Sequence, residues 1–265
     1  MVRSWNGVGW VCCDIYYGDT STIIKMNNGG KEMNAITYVC FVRDHSGSMA
    51  EPIDGINGTS KLKKEFAQSG FNEQLAVLKR ETNMDMETIV TVVEFDDSIN
   101  SIIENENVHN ITPLTNYWTG GSTALYDAIG YAIKNTKKIM EEDKRDNKAA
   151  IVIIQTDGME NASIEFYGNK GRLGIKKMIE ELEKTGKWTF TFLGENIDKE
   201  VAMSMGIAQG NIMSYSKNDT AIAYGWQSIG TKTFMTNRAS GILNTTAFYT
   251  SPSDDEKKPE DNDSK

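Results

Sequence analysis

Apolar runs alternate with amphipathic segments over most of the chain. Residues 35–42, 88–95 and 149–155 are apolar or β-branched almost throughout, which predicts strands buried on both faces. Shorter runs at residues 188–193 and 211–216 predict two further strands. Helical periodicity fills the intervals between them. This alternation is typical of a doubly wound α/β fold, with a mostly parallel sheet and helices on both faces.

Helices are predicted where apolar residues recur at a spacing of three and four. Their approximate bounds are 60–80, 124–141, 171–184, 197–205 and 220–238. Ser60 is expected to cap the first helix. The last helix is expected to turn Ile222, Trp226 and Ile229 toward the core.

One strand of the predicted sheet should run against the others. Asp96 and Asp97 separate the strand at residues 88–95 from an extended run at residues 98–104. Two strands joined by so short a polar loop must be antiparallel neighbours. The sheet is therefore expected to carry one antiparallel edge strand.

The two ends of the chain lack this pattern, which leaves residues 35–240 as the predicted domain. Residues 1–34 are expected to form an N-terminal extension that packs loosely or folds as a hairpin around Gly18-Asp19. Alternatively the extension is not native, because Gly29-Gly30-Lys31-Glu32 is what a purine-rich ribosome-binding sequence encodes when translated; Met33 would then be the start. Residues 241–265 are expected to be an acidic, disordered tail.

Composition narrows the functional classes only moderately. The formal net charge of −9 argues against nucleic acid as a partner, since phosphate binding needs clustered Lys and Arg. No run is long enough to cross a membrane, and the N-terminus lacks a secretory signal. Cys12, Cys13 and Cys40 are too few to indicate a disulfide framework or a zinc site. A reduced, cytoplasmic protein is expected, with neither membrane nor nucleic acid as partner.

Short oxygen-bearing side chains follow two of the buried strands and precede one helix. Asp44, Ser46 and Ser48 come directly after the first strand, Thr123 opens a helix, and Asp157 follows the strand at residues 149–155. Ligands in such sheets bind beyond the carboxyl ends of the strands, so these side chains are expected to meet there. Each also has a plainer explanation as a helix cap or turn residue.

Carboxylates and hydroxyls without Cys or His favour a hard cation. Mg²⁺ is expected, with Mn²⁺ or Ca²⁺ as alternatives. Two carboxylates about 4 Å apart repel by about 4 kcal/mol at an effective dielectric constant of 20. A divalent ion between Asp44 and Asp157 would offset that repulsion.

Asp44-x-Ser46-x-Ser48, followed by Thr123 and Asp157, resembles the metal-ion-dependent adhesion site (MIDAS) of von Willebrand factor type A domains. The resemblance extends over roughly residues 35–238. Phe192-Leu193-Gly194-Glu195-Asn196, with Met205-Gly206-Ile207 after it, is similar to small stand-alone bacterial and phage members of that family.

The resemblance implies a function and a role for each of the five residues. Asp44, Ser46, Ser48 and Thr123 would surround the ion, and Asp157 would contact it directly or through water. An acidic side chain of a partner protein would fill an open coordination position. In relatives such capture can be coupled to movement of the C-terminal helix. A phage-encoded member would be found in the host cytoplasm or in the virion.

Three residues near these ligands are candidates for partner contacts. His45 lies between two predicted ligands and is otherwise expected to face solvent. Tyr117 and Trp118 precede Thr123, and aromatic residues dominate many protein interfaces. Burial of their loop is the equally good alternative.

Enzymatic alternatives fit the sequence less well. A phosphatase or phosphotransferase of the haloacid-dehalogenase kind needs a second Asp two residues after the first, where this chain has Ser46. The chain contains no G-x-S-x-G elbow, P-loop or G-x-G-x-x-G fingerprint. We therefore predict a non-enzymatic, Mg²⁺-dependent protein-binding domain. A structural module in a phage or multiprotein assembly is the third reading.

Overall fold

The computed structural model describes residues 2–5, 10–13, 35–54, 60–83, 85–197 and 199–250. Contacts divide the chain into two units, Met1–Glu32 and Met33–Lys265. In the first unit, β1 (Val2–Trp5) pairs antiparallel with β2 (Trp10–Cys13). The predicted turn at Gly18-Asp19, the candidate start at Met33 and the tail beyond residue 250 lie outside the described residues.

The second unit is built on a six-stranded sheet. The strands of this sheet in chain order are β3 (Ala35–Asp44), β6 (Met86–Phe95), β7 (Ile99–Asn107), β8 (Asn147–Thr156), β9 (Trp188–Glu195) and β10 (Ile212–Tyr215). Between β3 and β6, the short strands β4 (Pro52–Asp54) and β5 (Ser60–Leu62) form a separate pair. The sheet order is β10–β9–β8–β3–β6–β7, and only the β6–β7 pair is antiparallel. The prediction of a doubly wound, mostly parallel sheet with one antiparallel edge strand is confirmed.

Helices cover both faces of this sheet. They are α1 (Lys63–Glu81), α2 (Leu125–Glu142), α3 (Gly168–Glu183), α4 (Lys199–Ser204) and α5 (Thr220–Ala239). Alternate residues of β3 serve the two faces: Cys40 packs in the core under α2 and α3, and Phe41 packs with α1 and α5. None of the helices in the described ranges has both the length and the apolar character needed to cross a membrane.

The start of α1 differs from the prediction. Ser60 belongs to β5, which pairs antiparallel with β4 in a small separate ribbon. The helix begins at Lys63, and the Leu62 backbone N–H donates to Glu65 Oε2 at 2.7 Å. The prediction that Ser60 caps the helix is therefore wrong. Ser60 is paired in a strand, and the Glu65 side chain accepts the hydrogen bond from the backbone N–H at the helix start instead.

The buried face of α5 also differs from the prediction. Ile222 and Ile229 are 61% and 53% exposed, so they do not form the core stripe expected from their spacing. Tyr224 is buried instead, against Gly70 of α1, and the buried Gln227 accepts a hydrogen bond from Gln74 Nε2 at 2.9 Å. Polar residues are buried at the α1–α5 interface because they hydrogen-bond to each other. A prediction from hydropathy alone therefore assigned the wrong face of α5 to the core.

The domain continues past its predicted boundary at residue 240. Phe248 is buried, and its backbone N–H donates to Asn211 Oδ1 at 2.9 Å. Asn211 Nδ2 in turn donates to the Thr245 carbonyl at 2.8 Å. The described part of the expected tail therefore packs on the domain, because one buried asparagine pairs with its backbone.

A pH-dependent stability is expected from Glu183 at the end of α3. Its Oε1 is buried without a hydrogen-bond partner in the described part of the chain. Burial raises the pKa of this carboxyl from 4.5 to about 7, although a hydrogen bond from the Phe190 backbone lowers it in part. The folded state therefore binds the proton more tightly than the unfolded state, and stability falls as pH rises from about 4.5 to about 7.

Glu183→Gln should remove this cost. The melting temperature of the variant should exceed that of the unmodified chain at pH 8, and the difference should shrink at pH 5. Thermal unfolding followed by circular dichroism at both pH values measures it. Glu181→Gln, an exposed neighbour paired with Lys177, is the control and should leave the pH dependence unchanged. A Glu183→Gln variant with the original pH dependence would contradict the assignment.

Candidate metal centre

The candidate site lies where the strand order of the sheet reverses direction. The chain passes from β3 to β6 on one side and through β8, β9 and β10 on the other. Asp44 ends β3, and Asp157 directly follows the adjacent β8. In open α/β sheets this switch point forms the crevice that binds ligands. Two carboxylates therefore lie on neighbouring strand ends at the position where the fold offers a site.

Hydrogen bonds join four of the five predicted ligands. Asp44 Oδ1 accepts from the Ser46 backbone N–H at 2.7 Å, and the hydroxyls of Ser46 and Ser48 are 3.0 Å apart. Ser48 Oγ donates to Asp157 Oδ1 at 2.7 Å. Asp44 Oδ2 accepts from the Thr156 hydroxyl at 2.5 Å. Side chains that are up to 113 residues apart in sequence thus form one polar network.

Thr123, the fifth predicted ligand, faces this network across Gly158. A Cβ added at Gly158 would lie 3.0 Å from Thr123 Oγ1 and 3.8 Å from Asp44 Oδ2. The missing side chain therefore lets these two oxygens approach the same point. The Thr123 backbone N–H donates to Asn161 Oδ1 at 2.8 Å, which fixes the residue in place. The structure brings all five predicted residues together.

Backbone contacts hold the Thr123 loop against the Asp44 loop. The Gly120 N–H donates to the His45 carbonyl at 2.9 Å, and the Gly47 N–H donates to the Gly121 carbonyl at 3.2 Å. Gly121 has a φ of +65°, and a Cβ there would lie 2.9 Å from Asp97 Oδ2. The positive φ favours glycine at this position, since other L residues rarely adopt it.

The site is strongly acidic and removed from water. Asp44 is 1% exposed, and its hydrogen-bond partners in the described part of the chain, Ser46 and Thr156, are both neutral. Burial raises the pKa of Asp44 to about 6, and the charge of Asp157 adds to that increase. Burial of a carboxylate with only neutral partners destabilises its charged form, and a bound cation would offset that free-energy cost.

The donor set fits a hard divalent cation. Two carboxylates and three hydroxyls provide oxygen ligands only, which is the chemistry that Mg²⁺ and Ca²⁺ prefer. In the described residues, no three His, Cys, Asp or Glu side chains group to hold a metal ion. A softer, His- or Cys-rich metal site is therefore not found there, and the hydroxyl-rich set is the candidate.

Lys63, which the sequence did not single out, is part of the same site. Its side chain is 7% exposed, and Nζ lies 2.8 Å from Asp157 Oδ2. Glu51 Oε2 and Glu195 Oε1 lie 3.0 and 3.1 Å from the same ammonium. Burial alone lowers the pKa of Lys63, but the hydrogen bonds to Asp157 and Glu51 raise it above its ordinary value. The ammonium therefore stays charged.

His45 and Tyr117 stack on each other next to Asp44. The expectation that His45 faces solvent is wrong: its side chain is buried and stacks on Tyr117, with ring centroids 3.9 Å apart. The Tyr117 hydroxyl donates to the Asp44 carbonyl, and the Arg43 guanidinium lies 4.8 Å from the Tyr117 ring centroid. Of the three candidates for partner contacts, His45 is buried, Tyr117 is half-buried and lines an open groove, and Trp118 is exposed.

Trp118 is 76% exposed. It borders an open groove of about 640 Å³ between the first turns of α1 and the loop at residues 115–118. The aromatic side chain is therefore free to contact another molecule beside the candidate metal centre.

Comparison with known proteins supports the fold. No protein-family model matches the chain, and no curated protein matches it in sequence. The PilB minor pilin from Streptococcus sanguinis has a TM-score of 0.53 and 13% identity, over 77% of this chain and 62% of that one. Proximal thread matrix protein 1 from the mussel byssus, described with a zinc-occupied MIDAS motif, has a TM-score of 0.50 and 15% identity.

That match covers 72% of this chain and 46% of the mussel protein. A von Willebrand factor type A protein from Catenulispora acidiphila has a TM-score of 0.47 and 12% identity, over 75% of this chain and 43% of that one. The chain therefore spans less than two thirds of the length of each of these proteins. At these identities the likeness to the pilin and to the mussel protein concerns the α/β fold alone.

Tyr117→Phe should destabilise the domain by about 1 kcal/mol, because it removes the hydrogen bond to the Asp44 carbonyl and keeps the ring stacking. Urea unfolding followed by fluorescence measures the change. Tyr131→Phe is the control, since the Tyr131 hydroxyl is 3.4 Å from the exposed Glu104 side chain and contributes little. Equal effects of the two substitutions would show that the Tyr117 hydroxyl has no special role.

Proposed function

We propose that this chain is a non-enzymatic protein-binding domain in which a Mg²⁺ ion captures an acidic side chain of a partner protein. The observation that carries the proposal is the junction of Asp44, Ser46, Ser48 and Asp157 in one buried network, with Thr123 beside it. It lies at the switch point of the sheet, where open α/β folds bind their ligands.

Each residue has a role in this proposal. Asp44, Ser46, Ser48 and Thr123 would hold the ion, and Asp157 would contact it directly or through water. The bound ion supplies a positive charge with an open position for a carboxylate oxygen. Mn²⁺ or Ca²⁺ could take its place, since both accept oxygen ligands. The zinc-occupied MIDAS motif of the mussel protein supports a divalent ion in this kind of site.

Exposed apolar side chains beside the ion would add specificity. Trp118 and Met159, which is two residues after Asp157, are both largely exposed. An aromatic or aliphatic anchor next to a charged contact is a common feature of protein interfaces. The proposed partner would therefore carry an Asp or Glu with apolar residues next to it.

A phosphatase of the haloacid-dehalogenase kind receives less support. The residue two positions after Asp44 is Ser46, whose hydroxyl is hydrogen-bonded to Ser48. A serine hydroxyl at this place cannot serve as general acid or base near neutral pH. A purely architectural role in an assembly would not need a divalent ion, and the experiment on Mg²⁺ below separates the two.

Mg²⁺ should raise the melting temperature of the chain, because a ligand that binds only the folded state stabilises it. At a Mg²⁺ concentration about 100 times its Kd, the stabilisation should be about 2.7 kcal/mol. Asp44→Ala should abolish the shift while the domain still folds. Asp146→Ala, an exposed aspartate directly before β8, is the matched control and should keep the shift. An unmodified chain that does not respond to Mg²⁺ would contradict the metal centre.

Partner capture can be tested with a displayed library of random peptides. Selection on the immobilised chain in Mg²⁺ should enrich peptides that contain Asp or Glu, and the same peptides should be released by EDTA. Asp157→Ala should lose this enrichment, whereas the Asp146→Ala chain should retain it. Peptides that bind equally well in EDTA would show that recognition does not use the ion.

A further inference from the structure

Lys63 is the first residue of α1, and its ammonium is enclosed by carboxylates from three other segments. Asp157 follows β8, Glu195 ends β9, and Glu51 precedes β4. Their oxygens lie 2.8, 3.1 and 3.0 Å from Nζ. The side chains of Lys63, Asp157 and Glu195 are all more than nine-tenths buried, and Glu51 closes the solvent side. The ammonium thus occupies a closed cage of oxygen ligands.

This cage holds more negative charge than the lysine can neutralise. Three carboxylates face one ammonium, and Asp44 lies in the adjoining network. Glu195 Oε2 is buried and has no hydrogen-bond partner among the described residues. An unpartnered buried carboxylate oxygen is costly unless a cation lies nearby. The negative charge at this position therefore favours a cation, and the Lys63 ammonium is the cation that occupies it.

Lys63 also determines which oxygen of Asp157 faces the metal centre. Asp157 Oδ2 accepts from Lys63, and Oδ1 accepts from Ser48. With one oxygen held by the lysine, the carboxylate cannot rotate to offer both oxygens to an ion. The other oxygen remains directed at the predicted ligands.

We propose that the Lys63 ammonium is a built-in cation, which orients Asp157 toward the metal centre and fills a second cation position formed by Glu51, Asp157 and Glu195. The cluster consequently accepts one divalent ion instead of two. This inference rests on the proposed metal centre for the identity of the first ion. Lys63 is a positioning residue, since it acts on the ion through Asp157.

Removal of the lysine side chain should open the second position to a divalent ion. With the ammonium in place, no three acidic, His or Cys side chains of the described residues could hold a metal ion. Without it, the three carboxylates would converge within about 3 Å of an empty point, and a hard cation needs oxygen ligands at about 2.0–2.6 Å. Only small side-chain movements are needed to shorten these distances from about 3 Å to the metal–oxygen range. The lost positive charge also makes this position more attractive to a cation.

The test counts bound Mn²⁺ ions on the full chain, from the electron paramagnetic resonance signal of free Mn²⁺ in a titration. The unmodified chain should bind one ion and Lys63→Ala should bind two. The double variant Lys63→Ala with Glu195→Gln should return to one, because it removes a ligand of the second position. Lys61→Ala, which loses the same charge at an exposed residue two positions earlier, is the control and should bind one.

The outcomes separate this inference from the proposed function. One ion in Lys63→Ala, bound as tightly as in the unmodified chain, would overturn the role of Lys63 and leave the metal centre intact. No ion in the unmodified chain and one in Lys63→Ala would support the lysine-filled position and refute the metal centre.

Lys63→Ala could also fail to fold without metal, since it leaves buried carboxylates without their counter-ion. In that case Mn²⁺ should restore its far-ultraviolet circular dichroism, and it should not restore that of the double variant. A single variant that stays unfolded in Mn²⁺ would overturn the inference.

Discussion

Two buried carboxylates on adjacent strand ends are the constraint on which this structure depends. Asp44 and Asp157 end neighbouring parallel strands, away from water, where their charges repel. The fold answers this cost in two ways. Hydroxyls and a backbone N–H surround Asp44, and a buried ammonium pairs with Asp157. Negative charge remains uncompensated in the crevice beyond the carboxyl ends of the strands. This charge is the physical basis for the proposed ion.

The helices around this centre are tied to it by polar contacts inside the core. Gln155 of β8 and Gln74 of α1 both donate to Gln227 of α5, at 2.5 and 2.9 Å. Gln155 precedes Thr156, whose hydroxyl donates to Asp44. Buried hydrogen bonds, together with the peptide bond between Gln155 and Thr156, therefore connect α5 with the strand end that carries the site. Buried hydrogen bonds of this kind favour one arrangement of the elements they join.

Much of the fold and the predicted ligand set could be read from the sequence, because both depend on local patterns. Buried parallel strands leave continuous apolar runs, and the short polar residues after them must lie at the carboxyl edge of the sheet. The sheet with its antiparallel edge agrees with this reading, and the five candidate ligands lie together. The identity of the ion and of the partner depends on chemistry that such patterns do not specify.

Local patterns in the sequence thus predict the sheet, its edge strand and the side chains that meet at its carboxyl end. The role of Lys63 follows from the folding of the whole domain, since Lys63 lies 94 residues from Asp157 in sequence and its own neighbours are those of an ordinary helix residue. It likewise buried His45 under Tyr117, turned Ile222 outward and packed Phe248 on the domain. These features arise from contacts between residues that are distant in sequence. The burial of each residue depends on where the fold places the other. Local periodicity carries no information about such pairs.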